Sequence, residues 1–539
     1  MNIRLPTLAL SAALLAAPAH AATRPNILLI IGDDIGIDAT TDMYPGLIDG
    51  LVKQYGPQGR NHPDYRMIAG HPASTPVLNG LASKGMVFSQ AWAEPYCSPT
   101  RASLITGLNP AKTGVLDYTG HLSQNHHAFV RDLKDKGGYS AGVFGKWHMA
   151  GLSPAGADPA SSYPGMKPLE AGFDLFQGNL NGAVGTYFDW DYHVQDAGTA
   201  PGKWRTEKAP VRSLPGVAPT TFTPVVTVAD AVDWIRGREA AAPDKPWFAW
   251  VAFNLSHIAE KQQPNPMAVP NADTLDEPSR REMQACGGSF GSHNVGTCSS
   301  EALMRAMTNS MDTLIGKLLD AVDALDPDTY VIYVGDNGTW MFGPGREFID
   351  NLYITRRGRS KGTGYESGVR VSMVVRGRGI AAGSRSDVPV HTTDLYSTIL
   401  ELAGLKASRT VPDRTGKGSV ALDAVSIAPV LFGRAKTLRD PDRGYLLAEN
   451  VNPLQKNLRQ VAARNARYKV ICDEQAMATS CVFYDLLEDP LEEYPLAKPA
   501  SCAGYKVSVR RSADTAWHFC RLLEVVAKES FLARTVAKQ

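Results

Sequence analysis

Neither sign of charge dominates this chain: 55 Lys and Arg stand against 54 Asp and Glu, a formal net charge of +1. Nothing in that balance points to a nucleic-acid or membrane-surface partner. Beyond residue 21 no stretch is long and apolar enough to span a bilayer, and neither an internal repeat nor a low-complexity tract is present. Cysteine is sparse, with seven among 539 residues. Cys286, Cys298, Cys472, Cys481, Cys502 and Cys520 each have another cysteine within 20 residues, whereas Cys97 stands alone, 189 residues before Cys286. An unpaired cysteine in an exported protein needs a reason of its own.

Export is what the N-terminus predicts. Arg4 supplies a positive start, Leu8 to Ala17 a short apolar run, and Ala19-His20-Ala21 a small-residue cleavage site. Residues 1–21 are read as a signal peptide, with the mature chain starting near Ala22 and a periplasmic or secreted location. Such a compartment permits disulfides. Nearest-neighbour pairing (Cys286 with Cys298, Cys472 with Cys481, Cys502 with Cys520) is the expectation among several connectivities, and the spacings do not suggest zinc. Apolar and aromatic fractions of 44% and 8% are those of a globular protein.

Hydrophobic periodicity divides the chain in two. Asn26 to Ile31, Ser140 to Phe144, Trp247 to Phe253 and Thr329 to Val334 read as buried strands. They alternate with helices over Thr75 to Lys84, Val228 to Arg236, Glu301 to Leu325 and Thr393 to Ala403. This pattern predicts an α/β fold, a large mainly parallel sheet sandwiched by helices, over residues 22–440. From 441 to 539, four short strands and a last helix, Ala513 to Val526, predict a smaller α+β domain with a short antiparallel sheet. Leu152 to Val217 and Lys261 to Ser300 read as long loops.

In open α/β sheets the site lies beyond the carboxyl ends of the strands. There the chain places Gly32-Asp33-Asp34, Gly335-Asp336-Asn337-Gly338, Gly145-Lys146-Trp147-His148 and Asn254-Leu255-Ser256-His257. Either acidic pair alone could be a turn or a cap. Three carboxylates and an amide together, Asp33, Asp34, Asp336 and Asn337, form an all-oxygen set suited to calcium or magnesium. Taken singly, Lys146 and His148 read more readily as solvated loop residues, and His257 as a structural histidine.

Cys97 lies in Pro95-Tyr96-Cys97-Ser98-Pro99-Thr100-Arg101. Ser98 can cap a helix starting at Pro99, leaving Cys97 just outside a helix N-terminus where free N–H groups and Arg101 favour an anion. A plain thiolate is one option there, but soft sulfur is a poor partner for a hard cation.

With these residues in place the chain resembles the type I, formylglycine-dependent sulfatases of the alkaline phosphatase superfamily, in particular secreted bacterial arylsulfatases. Cys97-Ser98-Pro99-Thr100-Arg101 matches the C-x-P-S/T-R signature, extended through Leu104-Ile105-Thr106-Gly107. Further matches are Asp33-Asp34, Gly145-Lys146-Trp147-His148, Asp336-Asn337-Gly338, Lys361-Gly362-Thr363-Gly364-Tyr365-Glu366 and Tyr484-Asp485-Leu486. The resemblance implies that a formylglycine-generating enzyme converts Cys97 during maturation. It also implies that Asp33, Asp34, Asp336, Asn337 and residue 97 hold one Ca2+, Mg2+ being the lesser candidate. His257 and Lys361 would protonate the leaving alcohol, His148 would deprotonate the second hydroxyl, and Lys146, Lys361 and Arg101 would offset negative charge. The implied substrate is a small aryl sulfate or sulfated sugar.

The chain also departs from the pattern. Ser256-His257-Ile258-Ala259 replaces the prolines usual around the substrate-site histidine, and Ser367 and Ser372 stand where Gly and Pro are common. Lys361 could belong to a solvated basic cluster with Arg356, Arg357 and Arg359. A phosphonate monoester or phosphodiester hydrolase and a non-catalytic sulfoglycan-binding protein are the competing readings. Tyr187, Trp190, Tyr192 and Trp204 could stack on a substrate ring or simply pack beneath their loop.

Overall fold

The computed structural model describes residues 24–69, 72–151, 163–260, 266–340, 352–354, 359–453, 458–473, 480–505 and 508–531. The segment read as a signal peptide, together with Arg356 and Arg357, lies outside the described residues.

The apolar runs assemble into a ten-stranded mixed sheet. At its centre Tyr330–Gly335, Ile27–Gly32, Trp247–Ala252, Ser140–Lys146 and Leu175–Asn179 run side by side in parallel. Ile27–Gly32 is buried on both faces, which is why its sequence is an unbroken apolar run rather than an alternation. Its side chains still alternate: Leu28 and Ile30 enter one core, Ile27, Leu29 and Ile31 the other. The helices Pro76–Lys84, Thr223–Ala241 and Ser300–Leu325 cover the first face, and Cys97–Thr106, Phe129–Gly137 and Leu395–Leu402 the second. Met373–Arg376 and Met86–Phe88 extend one side by antiparallel pairing.

Two segments read as loops are more ordered than that. Residues 163–217 contribute Leu175–Asn179, Asp191–Gln195 and Arg205–Lys208 to the edge of the large sheet. Residues 266–300 contain the helix Glu277–Ala285, whose N-cap Asp276 accepts from the Ser279 amide. Short strands among Gly, Pro and aromatic residues leave too brief an alternation to stand out.

A second sheet, antiparallel and four-stranded, runs Leu446–Asn452, Leu458–Arg464, Tyr468–Asp473 and Cys481–Asp485 in order. The helix Thr515–Glu529 packs on one face of it and Trp92 with Val369 on the other. The six distal cysteines form Cys286–Cys298, Cys472–Cys481 and Cys502–Cys520, leaving Cys97 free. These bonds fit an oxidising compartment. Among the described residues no helix is long and apolar enough to cross a membrane.

Candidate active site

Backbone breaks at the strand ends turn the polar residues toward one place. Successive strand residues point to opposite faces, yet Asp33 and Asp34 serve the same buried group because Asp34 leaves the strand at φ +61°. His148, after the Ser140–Lys146 strand, sits at φ +55°. Left-handed non-glycine residues of this kind concentrate at functional sites.

The helix carrying Cys97 begins two residues earlier than the cap signals suggest. It spans Cys97–Thr106 with extended Tyr96 as N-cap, so Cys97 occupies the first turn, and Ser98 is inside the helix rather than capping it. Pro99 is tolerated because the first-turn N–H groups have no partner within the helix anyway. The Thr100 amide bonds Tyr96 O at 3.1 Å. All ten residues of this helix are buried, so no amphipathic stripe announces it. Gly107 ends it at φ +69°, where a Cβ would stand 2.6 Å from Leu422 and 2.8 Å from Tyr396.

Around Cys97 each of the three carboxylates has one cation. Lys146 Nζ is 2.6 Å from Asp33 Oδ2, Lys361 Nζ pairs with Asp34 Oδ1, and Arg101 Nη2 is 2.7 Å from Asp336 Oδ2. Arg101 Nε adds a contact of 3.1 Å to the same oxygen, and its Nη1 donates to Lys146 O at 2.8 Å. Asn337 Nδ2 donates to Asp34 Oδ1 at 2.8 Å, and the Asp34 amide to Asp336 Oδ1 at 3.2 Å. Lys361 is thus a buried member of this group rather than of a solvated basic run. Arg359 instead reaches Glu492 O at 2.7 Å and Glu493.

The acceptors left over have no donors. Asp33 Oδ1, Asp34 Oδ2 and Asn337 Oδ1 are buried without a hydrogen-bond partner, an arrangement native interiors avoid. Ligand atoms of Asp33, Cys97 and Asp336 lie within 4.8 Å of one another. Buried, donorless oxygens are the donor set a hard cation completes, so the residues present fit a divalent metal. Burial, against Lys146, pushes Asp33 up to about 8. Burial would raise Asp34 too, but Lys361, His257 and Lys146 hold it down to about 2.

The histidines present opposite ends. His148 Nε2 lies 2.8 Å from Tyr118 O and its Nδ1 3.2 Å from Cys97 Sγ. A carbonyl can only accept, so Nε2 carries the proton and Nδ1 turns a lone pair to residue 97. Burial, then Lys146 and Arg101, hold His148 well below its usual range, so it is neutral. His257 Nδ1 bonds Ile258 O at 2.8 Å, leaving Nε2 unprotonated. Burial, then Lys361 and Lys146, likewise keep this half-buried ring neutral. Burial raises the Cys97 thiol, more than Lys146 and Lys361 lower it, so the unmodified side chain is a thiol and not a thiolate.

Some residues at the site carry no signal in the sequence. Half-buried Trp340 meets the His257 ring edge-on at 5.9 Å and lies under Lys361 Nζ at 5.0 Å. Its position just after Asp336-Asn337-Gly338-Thr339 is the one available hint. Gly182 abuts the His148 imidazole, where a Cβ would stand 2.4 Å from Cε1. Tyr187, Trp190 and Tyr192 are core residues rather than ring platforms. The Tyr187 hydroxyl is 2.6 Å from Asn254 O and 2.5 Å from His257 O, which braces the His257 turn. Trp204 packs edge-on to Tyr163 at 5.3 Å.

A family model described as Sulfatase matches residues 25–405. N-acetylgalactosamine-6-sulfatase of Rattus norvegicus is 26% identical over 403 residues, which cover 71% of this chain and 62% of that protein. Arylsulfatase A of Bos taurus is 27% identical over 519 residues, 89% of this chain and 85% of the relative. Among solved structures, BT4656 in complex with its substrate D-glucosamine-2-N,6-O-disulfate superposes with a TM-score of 0.61 at 16% identity, covering 94% of this chain and 98% of that one. That likeness concerns the fold.

Proposed function

The chain belongs to the sulfatase family, and from that premise we propose that it hydrolyses sulfate monoesters, aryl or carbohydrate, to the alcohol and inorganic sulfate, with residue 97 as the nucleophile in formylglycine form. The observation that carries this reading is Cys97 Sγ, buried 3.2 Å from the lone-pair nitrogen of His148 within the Asp33–Asp336 cluster. That sulfur stands in for an oxygen of the hydrated aldehyde. A single calcium ion held by Asp33, Asp34, Asp336, Asn337 and residue 97 would favour ionisation of a hydroxyl and offset charge on the sulfate oxygens.

The charge balance supports an anionic reaction. With a cation held there to keep Asp33 ionised as well, the three carboxylates would balance Lys146, Lys361 and Arg101. The two positive charges such an ion would supply match the negative charges of one sulfate ester and one ionised hydroxyl of residue 97. One hydroxyl of residue 97, ionised with its proton released to solvent, forms a bond to sulfur while the bond from sulfur to the leaving oxygen breaks. Lys361, charged in its pairing with Asp34, faces that oxygen together with His257, and the incoming anion favours protonation of His257. His148 Nδ1 then takes the proton of the remaining hydroxyl, the carbonyl re-forms, and its bond to sulfate breaks. Water rehydrates the aldehyde. The relatives' names cover both aryl and sugar sulfates, and the cysteine pairs accord with a periplasmic or secreted site of action.

His148→Gln is expected to lower kcat by on the order of 10²-fold or more by stalling the second half of the cycle. The stalled enzyme should carry one sulfate ester on the residue 97 peptide in mass spectra. Gly182→Ala, which drives a methyl into the same ring, should lower kcat by on the order of 10²-fold with little change in KM. The function itself is tested by comparing kcat/KM for 4-nitrophenyl sulfate and a phenylphosphonate ester. Preference for the sulfate is expected, and preference for the phosphonate would overturn the reading.

A further inference from the structure

The loop that carries Lys361 is buried, and a buried loop must find partners for its own backbone. Gly362 N donates to Pro95 O at 2.8 Å, tying the loop to the segment that enters the Cys97 helix. Gly362 itself stands at φ +85°, where a Cβ would meet the Tyr96 hydroxyl at 2.5 Å. On the other side the partners come from the four-stranded sheet. Asn450 Nδ2 and Asn452 Nδ2 both donate to Gly362 O, at 2.7 and 2.9 Å, and Gln460 Oε1 accepts from Gly364 N at 2.6 Å.

The sheet's geometry makes this a single patch. Asn450 pairs directly with Gln460 across the ladder, and Asn452 lies two residues along on the same face. Farther back that face packs Leu446, Ala448, Ala462 and Ile471 on Trp92 and Val369, with buried Arg464 and Lys469 over the Trp92 ring beside them. It becomes amide only where it meets the Lys361 loop. Asn450, Asn452 and Gln460 are all buried. Buried amides are costly unless bonded, so packing alone gives no reason for three of them there. Behind them Lys469 Nζ joins Glu366 and Glu492 at 2.9 and 2.7 Å, and the Glu366 amide donates to Glu492 at 2.6 Å. The loop is therefore held at both ends.

We infer that Asn450, Asn452 and Gln460 form an amide clamp that positions Lys361 against the leaving oxygen, so that the C-terminal sheet acts on the reaction through one lysine. This rests on the role proposed for Lys361. The clamp residues bond the backbone of Gly362 and Gly364 rather than the Lys361 side chain, and are positioning residues.

A double-mutant cycle tests it. Asn450→Leu with Asn452→Leu removes both donors to Gly362 O at similar volume. With phenyl sulfate, a poor leaving group that needs the acid, kcat/KM is expected to fall about tenfold. With 4-nitrophenyl sulfate, a better leaving group, the fall should be about twofold or less. In a Lys361→Met background the same pair should change phenyl sulfate turnover by less than about twofold, because the acid it positions is gone. An undiminished loss in that background, or equal losses on both esters, would overturn the clamp. Should the double variant not fold, Gln460→Met is carried through the same cycle and judged by the same outcomes. Wild-type turnover separates the two readings: an inactive wild type on every sulfate ester overturns the function, whereas an active wild type with an additive cycle overturns the clamp alone.

Discussion

Cys97→Ala is expected to lower kcat/KM for every sulfate ester by on the order of 10⁴-fold, since no other group at the site can form the covalent intermediate. That loss corresponds to about 5.5 kcal/mol of transition-state stabilisation. The residual rate should reflect binding and charge neutralisation by Lys146, Lys361 and Arg101. Cys97→Ser is the sharper variant. A serine hydroxyl can attack sulfur, but it has no second hydroxyl from which His148 could take a proton. It should therefore release one equivalent of alcohol and stop, with the sulfate ester retained on residue 97. Steady turnover by the serine variant, at a rate near wild type, would remove the reason for an aldehyde. Intact mass measured after a single exposure to 4-nitrophenyl sulfate reads the result directly.

The second large effect concerns the cation. Chelation of divalent metal is expected to lower kcat by on the order of 10²-fold or more, with recovery on adding calcium. It should also lower stability, which gives a readout independent of catalysis. At a free ion concentration about 100 times Kd, binding stabilises the folded chain by about 2.7 kcal/mol, a shift of a few degrees in Tm. Asp336→Asn should weaken that thermal shift. It would also leave Arg101 without a charged partner in a fully buried position, where an unpaired charge is strongly destabilising. Asn337→Leu removes one of the donorless oxygens without stranding a charge and is the cleaner variant. A chelated enzyme with unchanged Tm and unchanged kcat would count against any metal at these residues.

The strand ends were the legible part of this molecule. Apolar runs buried on both faces have a pattern of their own, and the residues just after such a run sit at a known edge of the sheet. Asp33, Asp34, Asp336 and Asn337 could be grouped from their places after two apolar strands for that reason. The Pro76–Lys84 helix was equally plain, with proline at its first position and glycine after its last. The start of the Cys97 helix was not. Ser98-Pro99 imitates a cap and first residue, but Tyr96 holds the extended conformation and the helix begins before the proline. Nor could periodicity find the edge strands between 163 and 217, which are brief and interrupted by turn formers. Trp340, Gly182 and the three amides matter through contacts between segments remote in sequence. Asn450 meets Gly362 across 88 positions, and no local pattern encodes such a meeting.

Cys97 is 1% exposed and sits beneath the sheet's edge, enclosed by Tyr96, His148 and the buried ion pairs. A modifying enzyme cannot reach a sulfur so placed. Any conversion at this residue must therefore be finished while the segment from Pro95 to Gly107 is still extended and accessible. The central strands here pair residues some 220 to 300 positions apart, and non-local parallel pairing forms slowly. The delay opens an interval in which the thiol is exposed. If residue 97 works in the proposed formylglycine form, maturation would be a race between its conversion and the closing of the sheet, and variants that hasten folding around Cys97 should leave more of the chain as unconverted thiol.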